Sequence, residues 1–220
     1  MYETLITHYH GAGPLYFSVQ IAEDIGLPAG RFQPMWRALE HDRTVGNVSL
    51  EDTLEMILKK NHCSSEKTIR HVVEKRIEIA ETCFQNLHEE ILPMLEKLKE
   101  QGFLTGLISN CFSDEAEVIN RSILHPYFDA VCLSYEQGVE KPDARIYQIC
   151  MDMLSVEASE CLYVGDGGSR ELEAARSLGM QTAQACWYFQ EELGQNMRRK
   201  KEFLQMDHPM EIVKLAVGKR

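Results

Sequence analysis

The chain has 220 residues, with 34 acidic against 23 basic side chains and a formal net charge of -11. That length is enough to bury a real core, as one domain with an insertion or as two small ones, and it excludes a disordered chain. The acidic excess opposes broad attraction to nucleic acid or anionic membranes, so a small anionic substrate needs a local positive site. No apolar run approaches the ~20 residues of a spanning helix, and Met1 to His10 has no basic stretch followed by an apolar one, so a soluble, cytoplasmic protein is expected.

From Gly13 to about Leu87 the sequence reads as helical, with apolar residues three and four apart in Leu50, Leu54, Ile57 and Leu58. Ser49 with Asp52 three residues on predicts a helix-starting cap. Ser65 predicts another, opening the helix that carries Ile69, Val72, Val73, Ile77 and Ala80. After Leu87 short apolar runs alternate with helices, the signature of a parallel α/β sheet. Strands are expected at Phe103 to Ser109, Ala130 to Ser134, Cys161 to Gly165 and Gln181 to Ala185. Helices are expected near Glu89 to Gln101, Ser113 to Ile123, Ala144 to Leu154 and Ser169 to Leu178, with Gly102 and Gly179 as helix-ending residues. A last helix is expected near Pro209 to Val217. The fold class is therefore α/β, a Rossmann-like parallel sheet from residues 1–10 and 88–220, joined by a small all-helical domain over residues 11–87.

In an open parallel sheet the ligand crevice lies beyond the carboxyl ends of the strands. Three of these ends are chemically loaded: Ser109-Asn110, Lys141-Pro142-Asp143, and Asp166-Gly167-Gly168. Ser109 can donate a hydrogen bond to a phosphoryl oxygen, and Lys141 can neutralise charge that grows as a nucleophile attacks. Asp166, flanked by glycines that let backbone come close, offers the hard oxygen ligand that magnesium prefers.

Leu104 to Asn110 (LTGLISN), Lys141-Pro142-Asp143 and Gly165 to Gly168 (GDGG) with Glu171 resemble, in order and spacing, motifs two, three and four of the haloacid dehalogenase-like (HAD) hydrolases. The likeness spans Glu90 to Ala185, and the helical first half resembles that family's inserted cap. The opening Met1-Tyr2-Glu3-Thr4-Leu5 is similar to the end of the first motif, Asp-x-Tyr-x-Thr-Leu, which puts the nucleophilic aspartate one position before Met1. The strand presenting that aspartate would sit between Phe103 to Ser109 and Cys161 to Gly165, so its absence is expected to open the sheet at its centre. A start assigned at an internal methionine and a product that has lost catalysis both account for this, and no turnover is expected of this chain.

The resemblance implies attack of that aspartate on phosphorus, an aspartyl-phosphate, and its hydrolysis by water. Ser109, Asn110 and Lys141 would bind the phosphoryl group, Asp166 and Glu171 would hold Mg2+, and Thr4 would steady the loop. The substrate would be a small phosphorylated metabolite, with neither nucleic acid nor membrane as partner. Tyr2 stands where the family's phosphatases place a second aspartate to protonate the leaving oxygen. A tyrosine there resembles the 2-haloacid dehalogenases, whose halide leaves without a proton, so dehalogenase chemistry is the alternative, and a non-catalytic HAD-fold protein binding phosphate, metal or a partner is another.

Other chemistry-bearing residues take ordinary readings. His8 and His10 lack a third ligand for a metal. Trp36, Tyr16 and Phe17 are core or pocket lining. Cys111 belongs to packing, and the seven scattered cysteines are buried free thiols. Arg198 to Lys201 is a solvated basic face.

Overall fold

The computed structural model describes residues 1–8, 16–189 and 198–218, so His10 lies outside the described residues. Helices α1 (Ser18–Asp24), α2 (Ala29–Ala38), α3 (Glu40–Thr44), α4 (Leu50–Lys60) and α5 (Glu66–Gln85) come first. Ser49 caps α4 as its sequence predicts: its Oγ accepts from the Asp52 N–H at 3.0 Å, and the Asp52 carboxylate accepts from the Ser49 N–H at 3.0 Å. Ser65 caps α5 by accepting from the Thr68 N–H at 3.2 Å. Apolar faces of these helices share a core of Phe32, Trp36, Leu50, Leu54, Ile57, Leu58 and Val72. Each fully buried leucine or isoleucine there contributes about 1.5–3 kcal/mol, so the periodic positions drive the packing.

The remaining elements alternate. Helix α6 (Ile91–Glu100) precedes β1 (Gly106–Ser109), and α7 (Ser113–Arg121) precedes β2 (Ala130–Leu133). Then come α8 (Ser134–Gln137), α9 (Ala144–Leu154), β3 (Leu162–Gly165), α10 (Glu171–Ser177), β4 (Gln181–Ala185), β5 (Leu204–Met206) and α11 (Met210–Val217). All ladders are parallel: β1 pairs β2 from Gly106↔Ala130 to Ser109↔Leu133, β3 pairs β4, and β4 pairs β5. The sheet is thus in two pieces, β1-β2 and β3-β4-β5, with no ladder between β1 and β3 among the described residues. Met1, Leu5 and Ile6 instead pack as apolar groups into the core that contains Leu107 and Leu133. Their turn is held by the Met1 carbonyl, which accepts from the Leu5 N–H at 2.8 Å.

Several expectations need correction. The strand β5 carries no apolar run, since Leu204 is exposed and only Met206 is buried, so its pattern is invisible without its neighbour β4. Strand β1 starts at Gly106, three residues later than expected, because Thr105 turns to bond Asp129 and the Tyr127 carbonyl. Ser169 and Arg170 adopt left-handed backbone, φ 48° and 53°, so α10 begins at Glu171 instead of Ser169. Cys63 is exposed and Cys161 partly so, while the other five cysteines are buried free thiols. The basic run is not simply solvated: Lys200 donates to Glu173 at 2.6 Å and Arg199 to Asp207 at 2.5 Å. No described helix is long and apolar enough to cross a membrane.

Candidate active site

Lys141 and groups at the end of β3 meet on one buried carboxylate, and Asn110 after β1 reaches it only through Lys141. Glu171, at the first position of α10, is 3% exposed, and its Oε2 accepts from Lys141 Nζ at 2.5 Å and from the Tyr163 hydroxyl at 2.9 Å. Its Oε1 accepts from the Gly167 N–H at 3.2 Å, which Gly167 presents by taking φ +93°. A β-carbon on Gly165 would overlap the same carboxylate, so glycine there is a condition of the close approach. The Tyr147 hydroxyl donates to the Glu171 carbonyl at 3.1 Å and ties α9 to the cluster.

Lys141 is positioned from the end of β1. The Asn110 side chain accepts from the Lys141 N–H at 2.8 Å and donates to the Lys141 carbonyl at 3.0 Å. Ser109, the last residue of β1, is buried, and its hydroxyl has only a 3.4 Å contact to the Asn110 carbonyl. It is therefore lightly held beside the lysine loop. Asn110 is a bracket for Lys141 in this arrangement, because both ends of its amide are occupied by backbone.

Asp166 follows β3, is partly buried, and lies within electrostatic reach of Glu171, the Met1 amino group and Lys141. Burial and then the Glu171 carboxylate push the Asp166 carboxyl up to about 7. Burial also opposes the charge on Glu171, but the Lys141 ammonium overcomes it and holds that group down at about 2. The Met1 amino group and the Lys141 ammonium both act on this pair, and burial lowers the former to about 6. Hard oxygen donors of this kind fit Mg2+, which keeps most of its waters and takes one or two protein carboxylates. Among the described residues no group of three potential metal ligands gathers. The Asp166 loop is fixed from behind by Gln184, whose amide donates to the Asp166 and Arg198 carbonyls at 2.8 and 2.7 Å while accepting from the Lys200 N–H at 2.7 Å.

A cavity of about 320 Å³ is lined by Tyr2, Trp36, Arg43, Arg76, Phe112 and Glu115. It contains none of Ser109, Asn110, Lys141, Asp166 or Glu171, and adjoins them through Met1, the neighbour of Tyr2, whose amino group is within electrostatic reach of Lys141, Asp166 and Glu171. The Tyr2 ring stacks on His8 with centroids 4.0 Å apart, and its hydroxyl is buried without a partner among the described residues. Burial, then Glu115, raises the Tyr2 phenol, and burial pushes His8 down to about 4, so His8 is neutral at pH 7. Arg76 donates to Asp114 at 2.6 Å and to Glu115 at 3.3 Å, binding α5 to α7. Trp36 and Tyr16 are buried and Phe17 is largely exposed, yet all three reach this cavity, so core and pocket are not exclusive roles here. The Thr4 side chain is buried, and its carbonyl accepts from Trp187 Nε1 at 2.8 Å. Cys111 is buried and its thiol is pushed up, first by burial, which fits packing. A larger concavity, about 550 Å³ among Phe84, Leu87, His88, Leu92 and Val118, likewise contains none of the strand-end residues and includes no residue of the Met1–His8 segment.

Sequence reasoning missed Arg43, Arg76, Tyr163 and Gln184. The arginines lie at polar positions of helices that read as solvent-facing, and the other two lie inside strands where only apolar alternation was legible. No local signal marks them.

A family model for haloacid dehalogenase-like hydrolases matches residues 2–179. Glyceraldehyde 3-phosphate phosphatase of Methanopyrus kandleri is 32% identical over 96 residues, 43% of this chain and 41% of that protein. The chain thus spans about two-fifths of that relative's length. Among solved structures, 2-haloacid dehalogenase from Pseudomonas syringae pv. Tomato DC3000 superposes with a TM-score of 0.67 at 18% identity, covering 99% of this chain and 95% of that one. A HAD family enzyme of Bacteroides thetaiotaomicron, solved with magnesium and inorganic phosphate, gives 0.62 at 15% identity over 89% of this chain and 96% of that one. These two show the fold. The length of the family match and the order of the three strand ends agree, and the chain belongs to the haloacid dehalogenase-like hydrolases.

Proposed function

We propose that this chain carries the phosphoryl-handling groups of a magnesium-dependent phosphatase acting on a small phosphorylated metabolite. The observation that carries the reading is the pair of carboxylates, the buried Glu171 and the partly buried Asp166, near Lys141 at the ends of parallel strands. A phosphoryl group with a divalent cation has the charge and the oxygens that such a set needs. A metal-free dehalogenase gives two neighbouring carboxylates no task. Supporting the substrate class, a curated relative is named for its action on glyceraldehyde 3-phosphate.

In this reading Ser109 donates to a phosphoryl oxygen and Lys141 Nζ balances charge that develops in the transition state. Asn110 holds the Lys141 backbone so that the ammonium stays at the rim. Asp166 and Glu171 would hold Mg2+, which would supply charge neutralisation to the phosphoryl oxygens. Thr4 fixes the loop after the first motif. Where a first-motif aspartate is supplied, its carboxylate would attack phosphorus as the P–O bond to the substrate breaks, the departing alkoxide would take a proton from water, and a second water would hydrolyse the aspartyl-phosphate. Tyr2, with its raised phenol, is a poor acid for that alkoxide at neutral pH. Helices α1–α5 serve as the cap that closes over the rim.

The test is product release by a version extended upstream through the aspartate. It is expected to liberate phosphate from small phosphomonoesters in the presence of Mg2+. Release of halide from 2-chloropropionate, or phosphate turnover indifferent to Mg2+, would overturn the reading.

A further inference from the structure

Arg43, on α3, is 1% exposed and lines the 320 Å³ cavity. Its Nη1 donates to the Trp36 carbonyl at 2.8 Å, while Nε and Nη2 are buried and have no hydrogen-bond partner among the described residues. These two nitrogens form one edge of the guanidinium, the edge that meets a carboxylate with two parallel N–H bonds. The plane of the group is fixed by Trp36, whose ring centroid lies 3.8 Å away, and by Phe112 at 4.8 Å. The contrast with Arg76 is direct. That arginine is matched by Asp114 and Glu115, whereas no carboxylate forms an ion pair with Arg43 among the described residues.

A buried cation with two idle donors is unfavourable unless something pairs with it. Burial pushes Arg43 down to about 10, which leaves it charged at neutral pH. Close by, the Tyr2 hydroxyl is a further buried donor without a partner, and the aromatic walls suit a small carbon skeleton. Glu40 and Glu115 also line the cavity, which disfavours a doubly charged group and favours a single carboxylate.

We propose that Arg43 recognises a carboxylate carried by the substrate, in the cavity walled by Tyr2, Trp36 and Phe112, so that the substrates are small phosphorylated carboxylic acids. The substrate class rests on the phosphatase reading above. Because the two donor nitrogens are sealed from solvent, binding includes a small shift of the Trp36 and Phe112 rings that cover Arg43. Arg43 is a specificity residue in this scheme and moves no proton.

The experiment is calorimetric titration of the full chain, with Mg2+, by 3-phosphoglycerate, glycerol 3-phosphate and inorganic phosphate. The first two share a carbon skeleton and differ by a carboxylate against an alcohol. The wild type is expected to prefer 3-phosphoglycerate at least ~10-fold, as for a charge-assisted bidentate contact. Arg43→Gln, which keeps a donor toward the Trp36 carbonyl, should erase the preference and leave inorganic phosphate binding unchanged. Arg43→Lys should retain part of it, and serves if the glutamine variant does not fold. Equal binding of the two esters by the wild type, or a preference surviving in Arg43→Gln, overturns the proposal. If inorganic phosphate itself fails to bind, the phosphatase reading falls separately. Glycerate against glycerol then decides for Arg43: binding of glycerate lost in Arg43→Gln supports it, and no glycerate binding overturns it.

Discussion

Asn110 brackets the backbone of Lys141, accepting from its N–H at 2.8 Å and donating to its carbonyl at 3.0 Å. The last residues of one strand thereby place the cation that follows another. Asn110→Ala removes both bonds and strands two backbone groups in a half-buried site, so a loss of about 1–3 kcal/mol is expected in urea denaturation. Phosphate binding should weaken more than stability alone explains, because the ammonium is no longer held at the rim. Asn110→Asp should recover only the bond from the Lys141 N–H.

Removing the ammonium itself is costlier. Lys141→Met leaves Glu171 beside Asp166 with only the Met1 amino group, itself lowered to about 6, as counter-charge, for which about 3–5 kcal/mol is expected. The double variant Lys141→Met with Glu171→Leu should regain most of that loss, a coupling that a double-mutant cycle measures. Glu171 also predicts a pH effect: its carboxyl is held below its ordinary range near 4.5, so the stability it gives is present above that value and is lost as pH falls toward about 2. The wild type should show this acid limb, and the double variant should not.

Asp166 has the opposite sign. Its carboxyl is raised from near 3.8 to about 7, so without metal the folded state holds the proton more tightly than the unfolded one. Its stabilising contribution is complete below about 4 and is lost as pH rises through about 7. Thermal melting without metal should therefore decline over that window in the wild type and flatten in Asp166→Asn. The gain in melting temperature from Mg2+ should grow between about pH 6 and 8, as the carboxylate is freed of its proton.

Gly165 tests the close approach. Gly165→Ala forces the Glu171 carboxylate from its place, since a β-carbon there overlaps it. Mg2+ affinity should drop roughly 10–100-fold, the range seen when groups that orient metal ligands are disturbed. Far-UV circular dichroism should be unchanged.

How far the sequence carries can be seen in particular residues. Helix α9 and strand β4 are found at the bounds their apolar periods predict, because Ile146, Tyr147 and Cys150 face one core, Ala183 and Ala185 are buried two residues apart, and both elements have strong local punctuation. The strand-end residues were legible because a parallel sheet collects its carboxyl ends on one side. Strand β5 was not legible, since its three residues gain meaning only from pairing with β4. The dual use of Glu171, partner to Lys141 as well as neighbour of Asp166, depends on the left-handed turn at Ser169 and Arg170, which no local pattern announces. Arg43 is hidden for a similar reason. On its own helix it reads as a surface cation, and only the packing of Trp36 and Phe112 around it makes it a buried one.

Calorimetric titration of inorganic phosphate into the chain, with and without Mg2+, bears most directly on the assembled rim. Phosphate is expected to bind when Mg2+ is present, to bind far more weakly without it, and to lose that dependence in Asp166→Asn. Equal affinity in the presence and absence of Mg2+, unchanged by Asp166→Asn, would contradict the account.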